Sequence, residues 1–200
     1  MRSNRAAREL TSRRGTTRRL AIDERGFANL ARRVRSPNSD ARPPGTVITL
    51  AVIHGISLPP GAFGGDAIER LFTNRLDPAA HPYYASVAHL HVSAHFLVRR
   101  DGRLLQFVSC NERAWHAGVS RFRGRTHCND FSIGVELEGT DDVPYETAQY
   151  AMLARLLKAL ARRYPIQHVV GHSDVAPDRK TDPGPAFDWG RLRRLTTPRR

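Results

Sequence analysis

Apolar positions in this chain gather into a few short stretches separated by segments rich in proline and glycine. The first is Thr46-Val-Ile-Thr-Leu-Ala-Val-Ile53, an almost unbroken β-branched and aliphatic run. Such a run predicts a strand buried on both faces, in the middle of an α/β sheet. It is expected to stop at His54-Gly55, before the loop LPPGAFGG. Residues 66–76 carry Ile68, Leu71 and Phe72 at helical spacing, and residues 91–98 and 103–108 read as paired strands around Asp101-Gly102. From Phe131 to Glu138 the chain alternates strictly. Phe131, Ile133, Val135 and Leu137 take one face, and Ser132, Gly134, Glu136 and Glu138 the other. The strongest helical stripe is Met152, Leu153, Leu156, Leu157 and Leu160, within residues 146–163. A short strand over 166–170 ends at Gly171-His172, and a short helix is expected from about Phe187. Ile22, Leu30 and Val34 suggest a further short helix over 21–35. Strands alternating with helices predict an α/β fold, a single domain with a central mixed β-sheet flanked by helices.

Composition fits that picture. The 200 residues are 40% hydrophobic and 26% charged, as in a globular domain. No run of 18 apolar residues is present, so no membrane-spanning helix is predicted and no membrane partner is expected. The positive N-terminus lacks an apolar stretch behind it, and neither Arg13-Arg14 nor Arg18-Arg19 is followed by one, which argues against export. Cys110 and Cys128 read as free, semi-buried thiols in a reducing cytoplasm. The net charge of +13 is unevenly placed. Residues 1–35 hold 11 Arg against Glu9, Asp23 and Glu24, and residues 191–200 hold five Arg and no acid, which leaves 36–190 neutral. The expected organisation is a basic disordered extension (1–20), a domain (21–196) and a basic tail (197–200). Phe27 is the only aromatic residue before Phe63, so the arm offers little for base stacking. No nucleic acid is expected on the folded domain.

Nine histidines raise the question of a metal. A catalytic zinc needs three N, O or S ligands converging from rigid elements. His54 and His172 both close a buried strand, where sites of α/β sheets form. The loop Ala176-Pro-Asp-Arg-Lys-Thr-Asp-Pro-Gly-Pro185 is stiffened by three prolines and offers Asp178 or Asp182 as an oxygen ligand. A hydrolytic site also needs a base. Glu136 and Glu138 both project from the polar face of their strand, and Glu138, nearer the following turn, is more easily explained by solvation. A cation at Lys180 can stabilise an oxyanion. The even spacing of His89, His91 and His95 reads as a polar sheet face near a cleft rather than a second metal cluster. His127-Cys128 lacks a CxxC partner.

The segments VIHGISLPPGAFGG, AHPYY, VSAHFLVRRDG, RAWHAGVS, CNDFSIGVELEGTD, GHSDVAP and RKTDPGPAFDW closely resemble the AmpD family of zinc-dependent N-acetylmuramoyl-L-alanine amidases. The match covers about residues 30–196 in near-unbroken order and spacing. The wider fold includes phage amidases and peptidoglycan recognition proteins. The resemblance implies zinc held by His54, His172 and Asp182, Glu136 as proton acceptor and Lys180 as transition-state stabiliser. It also implies a substrate cleft lined by Trp115, with Gly55 and His127 as further substrate-binding positions and Tyr83 more a packing residue. The implied activity is cleavage of the amide between (1,6-anhydro-)N-acetylmuramic acid and L-alanine, by a monomer acting on anhydro-muropeptides in cytoplasmic peptidoglycan recycling. The alternatives are a non-catalytic peptidoglycan-binding module and an exported amidase acting on intact wall. The sequence departs from the family pattern at Gly55, where members carry Asn, and at His91 and His127, where they tend to carry Arg.

Overall fold

Residues 18–197 are described by a computed structural model, and most of the expected basic extension lies outside them. In chain order the strands are β1 (Arg32–Arg33), β2 (Ser39–Ala41), β3 (Leu50–Ile56), β4 (Phe96–Val98), β5 (Leu104–Gln106), β6 (Glu112–Ala114), β7 (Arg121–Phe122), β8 (Arg125–Thr126), β9 (Ser132–Glu138) and β10 (His168–Gly171). The α-helices are α1 (Ala67–Phe72), α2 (Pro82–Val87), α3 (Thr147–Arg163), α4 (His172–Val175) and α5 (Trp189–Thr196). Six strands form one mixed sheet in the order β1-β5-β4-β9-β3-β10. β4, β9, β3 and β10 run parallel, and β5 is antiparallel to β4 through the hairpin predicted at Asp101-Gly102. The sheet is therefore the mixed α/β type that the apolar pattern predicts.

One face carries Ala51, Ile53, Phe96, Ile133, Val135 and Leu137, and packs against Leu153, Leu156, Leu157 and Leu160 of α3 and Leu192 of α5. The opposite face carries Leu50 and Val52 against Ala117, Cys128, Phe131 and Val175, and Leu97 and Leu105 against the apolar side of α1. β9 is thus buried along all seven residues. Its polar alternate positions are covered from different sides: His116 meets Ser132 and Gly134, and Arg99 and Gly64 meet Glu138.

Four expectations change. β3 starts only at Leu50, where its pairing with Ser132 of β9 begins, so Thr46–Thr49 lie before it, and it continues through Gly55 to Ile56, because β9 pairs with it out to Glu138. His54 therefore lies inside the strand. Residues 21–35 form no helix: Asp23 accepts the Phe27 N–H on its side chain at 2.7 Å, Gly26 takes a positive φ of 79°, and Ile22 bridges Ala28. An Asx-type turn competes with helix at that point. Leu20 is 2% exposed in the α3-side core, and Arg155 and Arg162 donate to the carbonyls of Arg18 and Leu20. The fold thus takes in residues assigned to the extension. Finally, residues 89–95 are not a strand. His89 and His91 are exposed, while His95 is buried, accepts the Gly134 N–H at 3.0 Å and lies 3.1 Å from the Glu112 carbonyl. Both cysteines are free and fully buried. Among the described residues no helix is long and apolar enough to cross a membrane.

Candidate active site

The carboxyl ends of the parallel strands β3, β9 and β10 meet at one edge of the sheet. His54 on β3 is the register partner of Glu136 on β9. His172 follows Gly171, whose partner is Ile53, so it enters the same edge one strand over. Asp182 arrives from the proline-stiffened loop. Its backbone is tied to the start of α4, where the Ser173 N–H donates to the Asp182 carbonyl at 3.0 Å.

The three side chains converge on one point. His54 Nδ1 lies 3.0 Å from His172 Nδ1 and 3.2 Å from Asp182 Oδ2, and His172 Nδ1 lies 3.1 Å from the same oxygen. Donor atoms about 2.0–2.2 Å from a tetrahedral zinc stand roughly 3.3–3.6 Å apart, a few tenths of an ångström wider than this triangle. Two imidazole nitrogens and a carboxylate oxygen are also a donor set that zinc takes. Among the described residues these three form the only such cluster of potential metal-binding side chains. Asp178 is exposed and outside it. Burial pushes the His54 ring down to about 4, which favours the neutral, lone-pair-bearing form. Burial works against the Asp182 carboxylate, but its bonds to His172 and His54 outweigh that and hold it below the usual carboxylate range.

The two glutamates of β9 part company. Glu138 is buried in an ion pair with Arg99 at 2.9 Å and accepts the Gly64 N–H at 2.6 Å and the Arg100 N–H at 3.3 Å. Partnering, not solvation, accounts for it. Glu136 is 8% exposed, and its Oε2 has no hydrogen-bond partner among the described residues. Burial, with the Asp182 charge adding to it, raises the Glu136 carboxyl well above the ordinary range, and Lys180 offsets part of the rise. A buried polar atom without a partner is costly unless it has a task.

A cleft of about 630 Å³ opens onto these groups. Ile56, Phe72, Tyr83, Leu90 and Trp115 line it on the apolar side, with Lys180 and Gly55 also at its wall. Tyr83 is 38% exposed in this cleft rather than packed in the core. Trp115 is anchored by its indole N–H, which donates to Asp40 at 3.2 Å. His127 does not join the cleft: it is exposed just past β8. Gly55 gives room for Tyr145, because a side chain there would run into the Tyr145 hydroxyl. That hydroxyl donates to the Pro183 carbonyl at 2.9 Å and so ties down the residue next to Asp182. Sequence reasoning did not single out Tyr145 or His116. Tyr145 precedes a helix with no pattern of its own, and His116 sits in an irregular segment, so periodicity carried no signal for either.

The family that the sequence matches makes the chain an amide hydrolase. Residues 44–185 match the family model described as N-acetylmuramoyl-L-alanine amidase, and the chain belongs to that family. It is 56% identical over 181 residues, 90% of this chain and 96% of the other, to the 1,6-anhydro-N-acetylmuramyl-L-alanine amidase AmpD of Citrobacter freundii. The crystal structure of a Se-Met AmpD derivative superposes with a TM-score of 0.84 at 56% identity, covering 87% of this chain and 98% of that one. The amidase AmiD from E. coli, solved with the substrate anhydro-N-acetylmuramic acid-L-Ala-D-γ-Glu-L-Lys, is 30% identical with a TM-score of 0.54, over 88% of this chain and 65% of that one.

Proposed function

We propose that the chain is a zinc hydrolase that cleaves the amide between 1,6-anhydro-N-acetylmuramic acid and the L-alanine of the stem peptide, in cytoplasmic peptidoglycan recycling. The observation that carries this reading is the convergence of His54, His172 and Asp182 beside the unpartnered oxygen of Glu136. The family match and the 56% identity to an anhydro-muropeptide amidase support the substrate class. His54, His172 and Asp182 would hold the metal. Zinc bound there supplies Lewis acidity, which polarises the amide carbonyl and lets water act as a nucleophile near neutral pH.

Glu136 accepts the proton of the attacking water as its oxygen bonds to the lactyl carbonyl carbon. Burial raises the Glu136 carboxyl well above the ordinary carboxylate range, so it holds a proton more readily than an exposed carboxylate, as suits a group that must take a proton and give it back. The Lys180 ammonium at the cleft wall stabilises the negative charge that develops on the carbonyl oxygen. Glu136 then passes its proton to the alanine nitrogen as the C–N bond breaks, and the lactyl carboxyl group and a free amine leave. Trp115 and Gly55 line the cleft that would receive the muropeptide.

Incubation with purified anhydro-muropeptide, with and without chelator, tests the reading. Stem peptide is expected to be released, with the activity lost in chelator and restored by zinc. No release, or release indifferent to chelator, overturns it. Digestion of intact sacculi at a comparable rate would favour an exported wall amidase instead.

A further inference from the structure

His116 is the buried-facing group that the chemistry above does not use. It follows Trp115 between β6 and β7 and lies at the floor of the cleft. Its ring meets that of His54 edge-on, with centroids 5.0 Å apart and Nδ1 2.9 Å from His54 Nε2. Its other nitrogen, Nε2, lies 3.2 Å from Ser132 Oγ on β9.

Two further features build the ring's seat. The Asn129 side-chain oxygen accepts the backbone N–H of His116 at 3.2 Å and of Ala117 at 2.8 Å. Gly134 on β9 leaves open the space the ring fills, since a side chain there would run into the imidazole.

The hydrogen-bond directions follow from the centre itself. His54 turns Nδ1 toward His172 and Asp182. With Nδ1 as a ligand atom, Nε2 holds the ring's only proton and donates it. His116 Nδ1 therefore accepts, its own proton stands on Nε2, and Ser132 Oγ receives that bond. His172 is held differently, with Nε2 3.3 Å from the fixed carbonyl of Ala117. One imidazole is oriented by backbone and the other by a second imidazole with a serine behind it.

We infer that His116 is a positioning residue for His54: it fixes the tautomer and rotation of that ring, and thereby sets how tightly the three-residue centre holds its cation. The inference rests on the metal reading proposed above. Groups that orient a metal-bound histidine through its far nitrogen typically change metal affinity by about 10–100-fold when removed.

The test uses the full chain with zinc titrated against a chromogenic chelator. His116→Phe keeps a ring in the seat but cannot accept a hydrogen bond, and zinc affinity is expected to fall by about 10–100-fold. His116→Gln presents an amide oxygen to His54 and is expected to recover most of that loss. Ser132→Ala leaves the imidazole in place and is expected to weaken binding a few-fold. A second readout needs no turnover. In the zinc-loaded protein, the His54 Nε2–H proton is expected to resonate downfield, as in a hydrogen bond, in the parent and in His116→Gln, and to lose that downfield shift in His116→Phe. Unchanged affinity and proton shift in His116→Phe overturn the inference. So does an equal loss in the Phe and Gln variants, which would mark a packing role. Should His116→Phe fail to fold, unchanged affinity in Ser132→Ala together with a lost downfield shift at full zinc affinity in His116→Gln overturns it. A parent protein that takes up no zinc removes the metal reading itself. A parent that binds zinc alongside a His116→Phe variant that binds it equally well removes only the role of His116.

Discussion

Glu136 and Glu138 stand two positions apart on β9, and a matched pair of isosteric substitutions separates their tasks. Glu138→Gln removes a charge that Arg99 meets at 2.9 Å, where the two side chains are 2% and 6% exposed. Breaking a buried pair costs about 3–5 kcal/mol when the remaining charge is stranded. Arg99 is not stranded, because it also reaches Glu69 at 3.1 Å and the Gly65 carbonyl at 2.8 Å, and glutamine still accepts a backbone N–H. The expected loss is therefore about 2–3 kcal/mol. For a domain of this size each kcal/mol shifts Tm by about 2–4 °C, so the transition should fall by roughly 4–12 °C. Glu136→Gln removes a buried charge whose Oε2 has no partner among the described residues, so stability should hold or rise. Its effect belongs to turnover: a general base is worth about 10²–10⁴-fold, or about 3–5 kcal/mol of barrier. Thermal unfolding followed by circular dichroism and peptide release from anhydro-muropeptide, measured on the same preparations, separate the two effects. A stable but inactive Glu138→Gln, or a Glu136→Gln that turns over normally, would refute the reasoning.

Two other outcomes follow from the buried site. Burial lowers His54 to about 4 and also lowers His95 and His116, so these rings take up protons near pH 6.5 when unfolded and resist them when folded. In the metal-free protein the stability these rings contribute should be fully present above pH 6.5 and be lost as the pH falls toward about 4, with His54 alone contributing about 3 kcal/mol; Glu136, raised in the folded state, works in the opposite sense, so denaturant midpoints of Glu136→Gln that stay flat across that window count against this. Tyr145→Phe deletes the hydroxyl bond to the Pro183 carbonyl. It should cost about 1 kcal/mol and loosen the Asp182 loop, lowering zinc affinity a few-fold in chelator competition; wild-type affinity would show that the loop is held by other contacts.

The central strands and the long helix were legible because burial writes itself directly into residue type. Leu50–Ile53 and the stripe on α3 admit few other readings, whereas Thr46–Thr49, read with the same run, precede β3 and leave Val47 exposed. The imidazoles could be found for the same reason, since each sits where an apolar strand reaches the sheet edge. Glu136 and Glu138 could be placed on one face by alternation, but alternation does not reveal neighbours. Arg99 reaches Glu138 only because β4 pairs with β9. The choice between Asp178 and Asp182 likewise depends on where a loop folds back, and the residues alone left it open. The 21–35 segment misled because three apolar residues at loose helical spacing weigh less than an Asx turn and a glycine at positive φ. His116 was silent for a different reason, as its partner lies 62 residues away in sequence.

The sheet order carries a consequence for how the chain acquires its competence. Leu50 pairs with His168 in the first parallel contact between β3 and β10, a closure across more than half the polypeptide. Contacts so remote in sequence form late, since a long loop must be closed before anything rewards it. The centre's donors straddle that closure, so partly assembled chains should offer no triad for an ion to grip. Uptake of the cation would then report completed folding, and the bound ion would in turn hold the outermost parallel strand against fraying.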